Sequence, residues 1–169
     1  MDRFAAAQAN RLLGNPARVP VLEVLLRGAV LRIDAPTWVA LCGADLCPAL
    51  PAWTARELAA GTVLEFSGGT RGLWAYLAVP GGFAAPRWFG SAASDARIGL
   101  GAALETGTRL RAARERPDCS TGLVAGRRWV SEARADIPDT ARFRLLPGPQ
   151  FERFSASDRR CLAEGRWQV

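Results

Sequence analysis

Residues 73–101 read LWAYLAVPGGFAAPRWFGSAASDARIGLG. The run opens as an apolar strand and breaks at Pro80-Gly81-Gly82. An aromatic pair, Trp88-Phe89, follows, then Gly90-Ser91 and a small polar loop to Asp95 with Arg97 behind it. Glycines at 81, 82, 90, 99 and 101 permit turns closed to a β-branched chain. A buried strand that empties into a glycine-shaped loop is how a β fold builds a surface for a ligand or partner.

Working outward, the same grammar recurs. After Pro20 the apolar residues take period two: Leu22, Val24 and Leu26, a turn at Gly28, then Val30 to Ile33, which predicts a hairpin. Further strands are predicted over Thr37–Cys42, Thr62–Phe66, Gly72–Val79 and Thr108–Ala112. Short strands with regular turn signals indicate a mostly β barrel or sandwich. Ahead of them, Asp2 to Leu13 reads as an alanine-rich helix, capped by Asp2 and stopped at Gly14-Asn15-Pro16. Phe4, Leu12 and Leu13 are its expected core face. Residues 113–141 loosen into proline, glycine and charge, with a hairpin expected over 122–130. Strands are expected at Arg142–Leu146 and Arg166–Val169, around a helix capped by Ser155. The resulting domain reading is a barrel over 1–115, a connection over 116–141, and the opening of a second unit over 142–169.

Composition narrows the chemistry. All 22 basic residues are arginine, the net charge is +6, and there is no histidine. The arginines are scattered without an aromatic platform, which argues against nucleic acid as the partner. Without histidine, a serine nucleophile at Ser91 has no ordinary base, so its role is binding. Cys42 and Cys47 are the only close cysteine pair, and no further ligands complete a zinc site. These are expected to be reduced thiols, with no metal bound. No apolar run is long enough for a transmembrane helix, and the first residues do not read as a secretory signal.

The polar candidates are few. Asp45, in LCGADL just past a buried strand, suits either a substrate amide and a proton or an Asx turn. Ser91, Asp95 and Arg97 form the polar face of the central loop, and Asp95 and Arg97 have the option of pairing with each other. Asn10, in mid-helix, invites a specific partner, whereas Asn15 suits turn geometry.

Taken in order, MDRFAAAQANRLLGNP (1–16), LEVLLRGAVLRI (22–33), ALCGADL (40–46), AYLAVPGGF (75–83), FGSAASDARIGLG (89–101) and FRLLPGPQFERFS (143–155) resemble the 5-oxoprolinase C-subunit family. The family is also called allophanate hydrolase subunit 2, or the biotin-dependent carboxyltransferase A/B domain family. The resemblance implies a cyclophilin-like β-barrel with flanking helices in a cytoplasmic protein paired with a sister B-subunit. It implies ATP-dependent opening of 5-oxoproline to glutamate, or carboxyl transfer from biotin to a urea-like amide, with ATP bound alongside the partner. On that reading Asp45 orients substrate or accepts a proton. Ser91 and Asp95 line the pocket, Arg97 supplies positive charge, and Asp2 and Asn10 support it from the helix. The family's Gly-Ser-Arg-Ser-Thr-Asp loop here has Ala92 in place of its arginine, and the turn at Ala102–Glu105 is shortened. A strand and glycine loop expected before Met1, and the rest of the second unit after Val169, lie outside the match. A non-catalytic regulatory or interaction subunit is the alternative reading.

Overall fold

The computed structural model describes residues 2–69, 72–101, 104–113 and 144–165. Its contacts divide the chain into two compact units, residues 1–130 and 131–169.

The first unit opens with helix α1 (Arg3–Leu12). Six strands follow: β1 (Leu22–Leu25), β2 (Val30–Arg32), β3 (Thr37–Gly43), β4 (Thr54–Leu58), β5 (Val63–Glu65) and β6 (Trp74–Ala78). Four of them form an antiparallel sheet in the order β1-β6-β3-β4, and β2 pairs with β5 in a second, two-stranded sheet. The fold is therefore mostly β, as the period-two reading requires.

The central strands β3 and β6 are apolar on both faces, and alternation sorts their side chains into two cores. Val39 and Leu41 of β3, with Ala75 and Leu77 of β6, join Leu64, Phe66, Leu46 and Leu50 in one core. Ala40 and Cys42, with Tyr76 and Ala78, face the opposite way and meet Ala5, Ala9, Leu12 and Leu13 of the helix segment. Small side chains on that face let α1 lie close to the sheet. The register agrees: Ala40 sits opposite Ala78, and Cys42 opposite Tyr76.

One buried polar cluster fixes where the helix ends. Asn10 and Asn15 are 1% and 7% exposed. Asn10 Nδ2 donates to the carbonyl of Val19 at 2.9 Å. Asn15 Nδ2 donates to Asn10 Oδ1 at 3.1 Å and to the carbonyl of Val79 at 2.8 Å. The amide of Gly81 donates to Asn15 Oδ1 at 2.8 Å. The end of α1, the 16–20 segment and the turn after β6 are thus joined through two carboxamides. Next to them, a Cβ on Gly82 would lie 2.8 Å from Val19 Cβ, and its φ is +78°, so this contact admits only glycine.

Several expectations change. Phe4 is 46% exposed, outside the core, and rests near the ring of Trp53, with ring centroids 6.2 Å apart. The helix covers the sheet with Ala5, Ala9 and Leu12 instead, because the i, i+4, i+7 row faces inward. No strand forms over Thr108–Ala112; that stretch contributes one bridge, Phe83 to Ala112. Of the strand expected at Arg142–Leu146, residues 144–146 form none and 142–143 lie outside the described residues. Strand β4 was not anticipated: TAREL carries Arg56 and Glu57 side by side, which breaks the alternation. Both are exposed on a strand at the sheet's edge, where charge discourages pairing with another chain. The expected hairpin at 122–130 and strand at 166–169 lie outside the described residues.

In the second unit, a 3-10 turn (Phe151–Arg153) leads to helix α2 (Ala156–Glu164). Ser155 caps it, its Oγ accepting from the amide of Asp158 at 3.2 Å and donating to that carboxylate at 2.7 Å. This is the capping arrangement read from the sequence.

Replacing Asn15 with alanine leaves the part-buried Gly81 amide and the Asn10 side-chain oxygen without their partner, and removes one of two bonds to the Val79 carbonyl, which keeps the Gly82 amide at 2.9 Å. The expected loss is about 3 kcal/mol of unfolding free energy, read as a lower urea midpoint. A midpoint equal to that of the wild type would remove the cluster from the account.

Candidate functional site

The loops at one end of the four-stranded sheet concentrate unusual backbone. Gly43 closes β3, and a Cβ there would lie 2.4 Å from the carbonyl of Trp74. A Cβ on Gly69 would lie 2.4 Å from the carbonyl of Asp45, and one on Gly72 2.8 Å from Ala44 Cβ. Among the described residues, three other than glycine have positive φ, and two of them, Leu26 (54°) and Trp53 (63°), flank the same loops. The amide of Leu26 bonds to the carbonyl of Leu73, and that of Trp53 to the carbonyl of Leu41. Strain and close backbone approach cluster where a fold shapes a site.

Asp45 stands at the centre of this end. A tight turn, closed by the Leu46 amide on the Ala44 carbonyl at 3.1 Å, carries it. Leu46, Cys47 and Leu50, each no more than 1% exposed, anchor the chain behind it in the core. The carboxylate itself is exposed, with Oδ1 accepting from the amide of Ala52 at 3.0 Å. The bond reaches seven residues along the chain, so Asp45 ties the 45–52 loop together rather than closing an Asx turn, and the residue remains open to solvent. Across Gly68 and Gly69 lies Arg27: the Cβ position of Gly68 is 3.5 Å from Arg27 Cβ, and Gly69 rests on Asp45. Sequence reasoning passed over Arg27 and the packing role of these glycines. The phrase Ser67-Gly68-Gly69 was the available signal, and it read only as a turn.

The other polar candidates fall elsewhere. Residues 84–101 and 104–111 belong to an excursion rooted at the far end of β6. The amide of Phe83 bonds to the carbonyl of Pro20, that of Ala84 to Arg111, and that of Ala113 to Gly82. In the ladder Gly43 is opposite Ala75 and Ala40 opposite Ala78, so the Asp45 loop and the root of the excursion leave opposite ends of β6. About 13 Å of strand separates those ends. On the excursion, Ser91 Oγ accepts from the amide of Ala93 at 3.1 Å. Asp95 accepts from the Arg97 amide at 3.0 Å and from its guanidinium at 3.3 Å. That ion pair is open to water, with Arg97 89% exposed, and adds little stability.

Asp2 is the N-cap of α1: Oδ1 accepts from the amides of Phe4 and Ala5 at 2.9 and 3.0 Å. Its own amide donates to Tyr76 Oη at 2.6 Å, and the Tyr76 hydroxyl is also bonded to the carboxylate of Glu23, its cross-strand neighbour. Asn10 has its carboxamide engaged inside the protein, so the partner its mid-helix position invites is the chain itself. The structure brings Asp95 to Arg97 and Asn10 to Asn15; neither pair is brought to Asp45 by any contact among the described residues. No three His, Cys, Asp or Glu side chains gather into a metal cluster among those residues.

Burial sets the remaining titrations. It pushes the Cys42 thiol from 9.0 up to about 12, which leaves that sulfur a poor nucleophile. Tyr76 rises from 10.0 to about 12, chiefly through burial and further through Glu23. Both groups hold their protons more tightly folded than unfolded. Their stabilisation is intact below pH 9 and is lost as pH climbs from 9 towards 12. Urea midpoints should fall across that window, and less steeply in Tyr76→Phe; a flat profile would refute the assignment. Peptide mapping after alkylation of the native protein should find Cys161 modified and Cys42 and Cys47 protected, since only Cys161 of these three is exposed.

Comparison with known proteins places the chain in the carboxyltransferase domain family. The carboxyltransferase domain family, subdomain A and B, matches residues 1–169. The C-subunit of the Escherichia coli 5-oxoprolinase is 30% identical over the whole of this chain, which covers 54% of that protein. The crystal structure of TTHA0988 superposes with a TM-score of 0.79 at 32% identity, covering 97% of this chain and 33% of that one. The urea carboxylase of Kluyveromyces lactis matches 56% of this chain and 9% of its own, at 30% identity and a TM-score of 0.51. The chain thus spans about half the length of the 5-oxoprolinase C-subunit it matches.

Proposed function

Because the chain belongs to the carboxyltransferase domain family, subdomain A and B, we propose that it serves as one subunit of a 5-oxoprolinase-like or carboxyl-transferring enzyme. On this reading it acts with a sister subunit on a small cyclic or urea-type amide. The observation that carries the reading is Asp45. It is an exposed carboxylate on a core-anchored turn, framed by close-packed glycines, with Arg27 across them.

Each part has a chemical use. A lactam or urea presents an N–H and a carbonyl. The Asp45 carboxylate accepts the N–H and is placed to take its proton when that nitrogen is carboxylated; in ring opening it only orients the N–H, and the leaving nitrogen gains its proton from water. The Arg27 guanidinium suits a carbonyl or carboxylate oxygen of the same molecule. The Ala52 amide holds Asp45 in position, so little reorganisation is required on binding.

The starts of both helices among the described residues are already capped and leave no open helix N-terminus for an ATP phosphate. The Asp2 carboxylate already occupies amides at the start of α1, where phosphate would otherwise bind, and Ser155 does the same for α2. On this reading ATP binds alongside the sister subunit, and no step here passes through it. Biotin is more compatible: its ureido N–H groups match the Asp45 carboxylate, and when bound it supplies the carboxyl group for transfer.

A non-catalytic subunit is the second reading. It is favoured by the Asp95–Arg97 pair, which neutralises itself, and by Ala92 between Ser91 and Asp95. Asp45→Asn separates the two. An asparagine still accepts from the Ala52 amide, so stability should stay within about 0.5 kcal/mol of wild type. In the complex with the sister subunit, 5-oxoproline-dependent ATP hydrolysis should fall about 100-fold or more. A stable complex with no such activity in the wild type would establish the non-catalytic reading instead.

A further inference from the structure

The tip of the 84–111 excursion is a tight two-residue hairpin. The amide of Trp88 bonds to the carbonyl of Ser91 at 2.8 Å, and the amide of Ser91 returns to the carbonyl of Trp88 at 2.9 Å. The central residues, Phe89 and Gly90, have φ of 49° and 81°. Positive φ at both positions is the signature of a type I′ turn, whose first central place favours asparagine, aspartate or glycine. Here it holds phenylalanine, an aromatic residue in the left-handed region. The Arg87 guanidinium donates to the Gly90 carbonyl at 3.0 Å and braces the turn.

The side chain held this way stands clear of the described residues. Phe89 is 101% exposed, and Trp88 beside it is 47% exposed. Ile98 and Leu104 on the same excursion are also exposed. Phe89 therefore opposes the local backbone preference and leaves its ring in water, with no packing among the described residues to offset either. A braced hairpin that presents an aromatic ring has the properties of an interface anchor: large contact area and little conformational freedom left to lose.

We propose that the Trp88–Ser91 hairpin is the docking knob by which this chain binds its sister subunit, with Phe89 entering an apolar pocket rimmed by carboxylates. The proposal rests on the two-subunit reading above and names the element that makes the contact. Charge selects the partner. Residues 84–113 carry four arginines (87, 97, 109 and 111) against two acids, Asp95 and Glu105; Arg97 pairs with Asp95 and Arg109 lies 4.0 Å from Asp34, which leaves Arg87 and Arg111 against Glu105. Two copies of this basic excursion would repel each other, so a second copy of the chain is disfavoured and an acidic-rimmed partner is favoured.

Phe89→Asn tests the proposal, because Asn-Gly is the preferred type I′ pair. The variant should fold at least as stably as wild type, with an unchanged or higher Tm. Its Kd for the purified sister subunit from the same organism, measured by calorimetry with the full chain, should rise at least about 30-fold. Wild-type affinity should also weaken as salt is raised. If wild type binds the sister subunit and Phe89→Asn binds equally well, the docking knob is wrong while the two-subunit reading stands. If wild type does not bind the sister subunit at all, both are wrong. Self-association of wild type that Phe89→Asn abolishes would overturn the choice of partner.

Discussion

The carboxamide pair Asn10–Asn15 is the constraint on which the rest of this structure depends. It closes the end of α1, holds the carbonyls of Val19 and Val79, and accepts the Gly81 amide. In a dry interior each of these groups would be costly without a partner. Satisfied together, they fix the helix relative to β6 and set the direction in which the chain leaves the sheet. Gly82, pressed against Val19, and the bond from Phe83 to Pro20 continue the same seam. The excursion that carries Phe89 begins where this seam ends.

A sheet buried on both faces then separates two kinds of surface. The helix covers one face through alanines and Cys42, and larger aliphatic residues with Phe66 fill the other. With both faces occupied, what remains for function is the two ends of the sheet. One end presents Asp45 and Arg27 among strained loops. The other roots a long basic excursion with an aromatic tip. The two sets of loops leave opposite ends because β3 and β6 run antiparallel.

Much of this was legible in the sequence. Period-two patterning located β1, β2, β3, β5 and β6, since those strands bury alternate or continuous apolar residues. The caps Asp2 and Ser155 marked both helices through a side-chain chemistry that has few substitutes there. β4 escaped because an edge strand carries charge for reasons unrelated to alternation. Phe4 misled because an aromatic residue was assumed to point inward, whereas close helix-to-sheet packing selected alanines. At the candidate site, Asp45 was visible as a carboxylate after a strand and a glycine. Arg27 was not, because only the packing of Gly68 on its side chain and of Gly69 on the Asp45 carbonyl relates it to that loop. Asn10 was visible as a polar residue out of place. Only the fold shows that its partner is Asn15, and that Ser91, Asp95 and Arg97 leave the sheet from the end opposite Asp45.

The most direct test of this architecture is native-state hydrogen exchange at the Gly81 amide. That N–H lies in a turn, where exchange is ordinarily fast, yet it donates to the buried Asn15 oxygen. It should exchange as slowly as the central β3 and β6 amides, through global unfolding. Exchange at the rate of an open turn would contradict this and show that the helix is not fixed to the sheet through this pair.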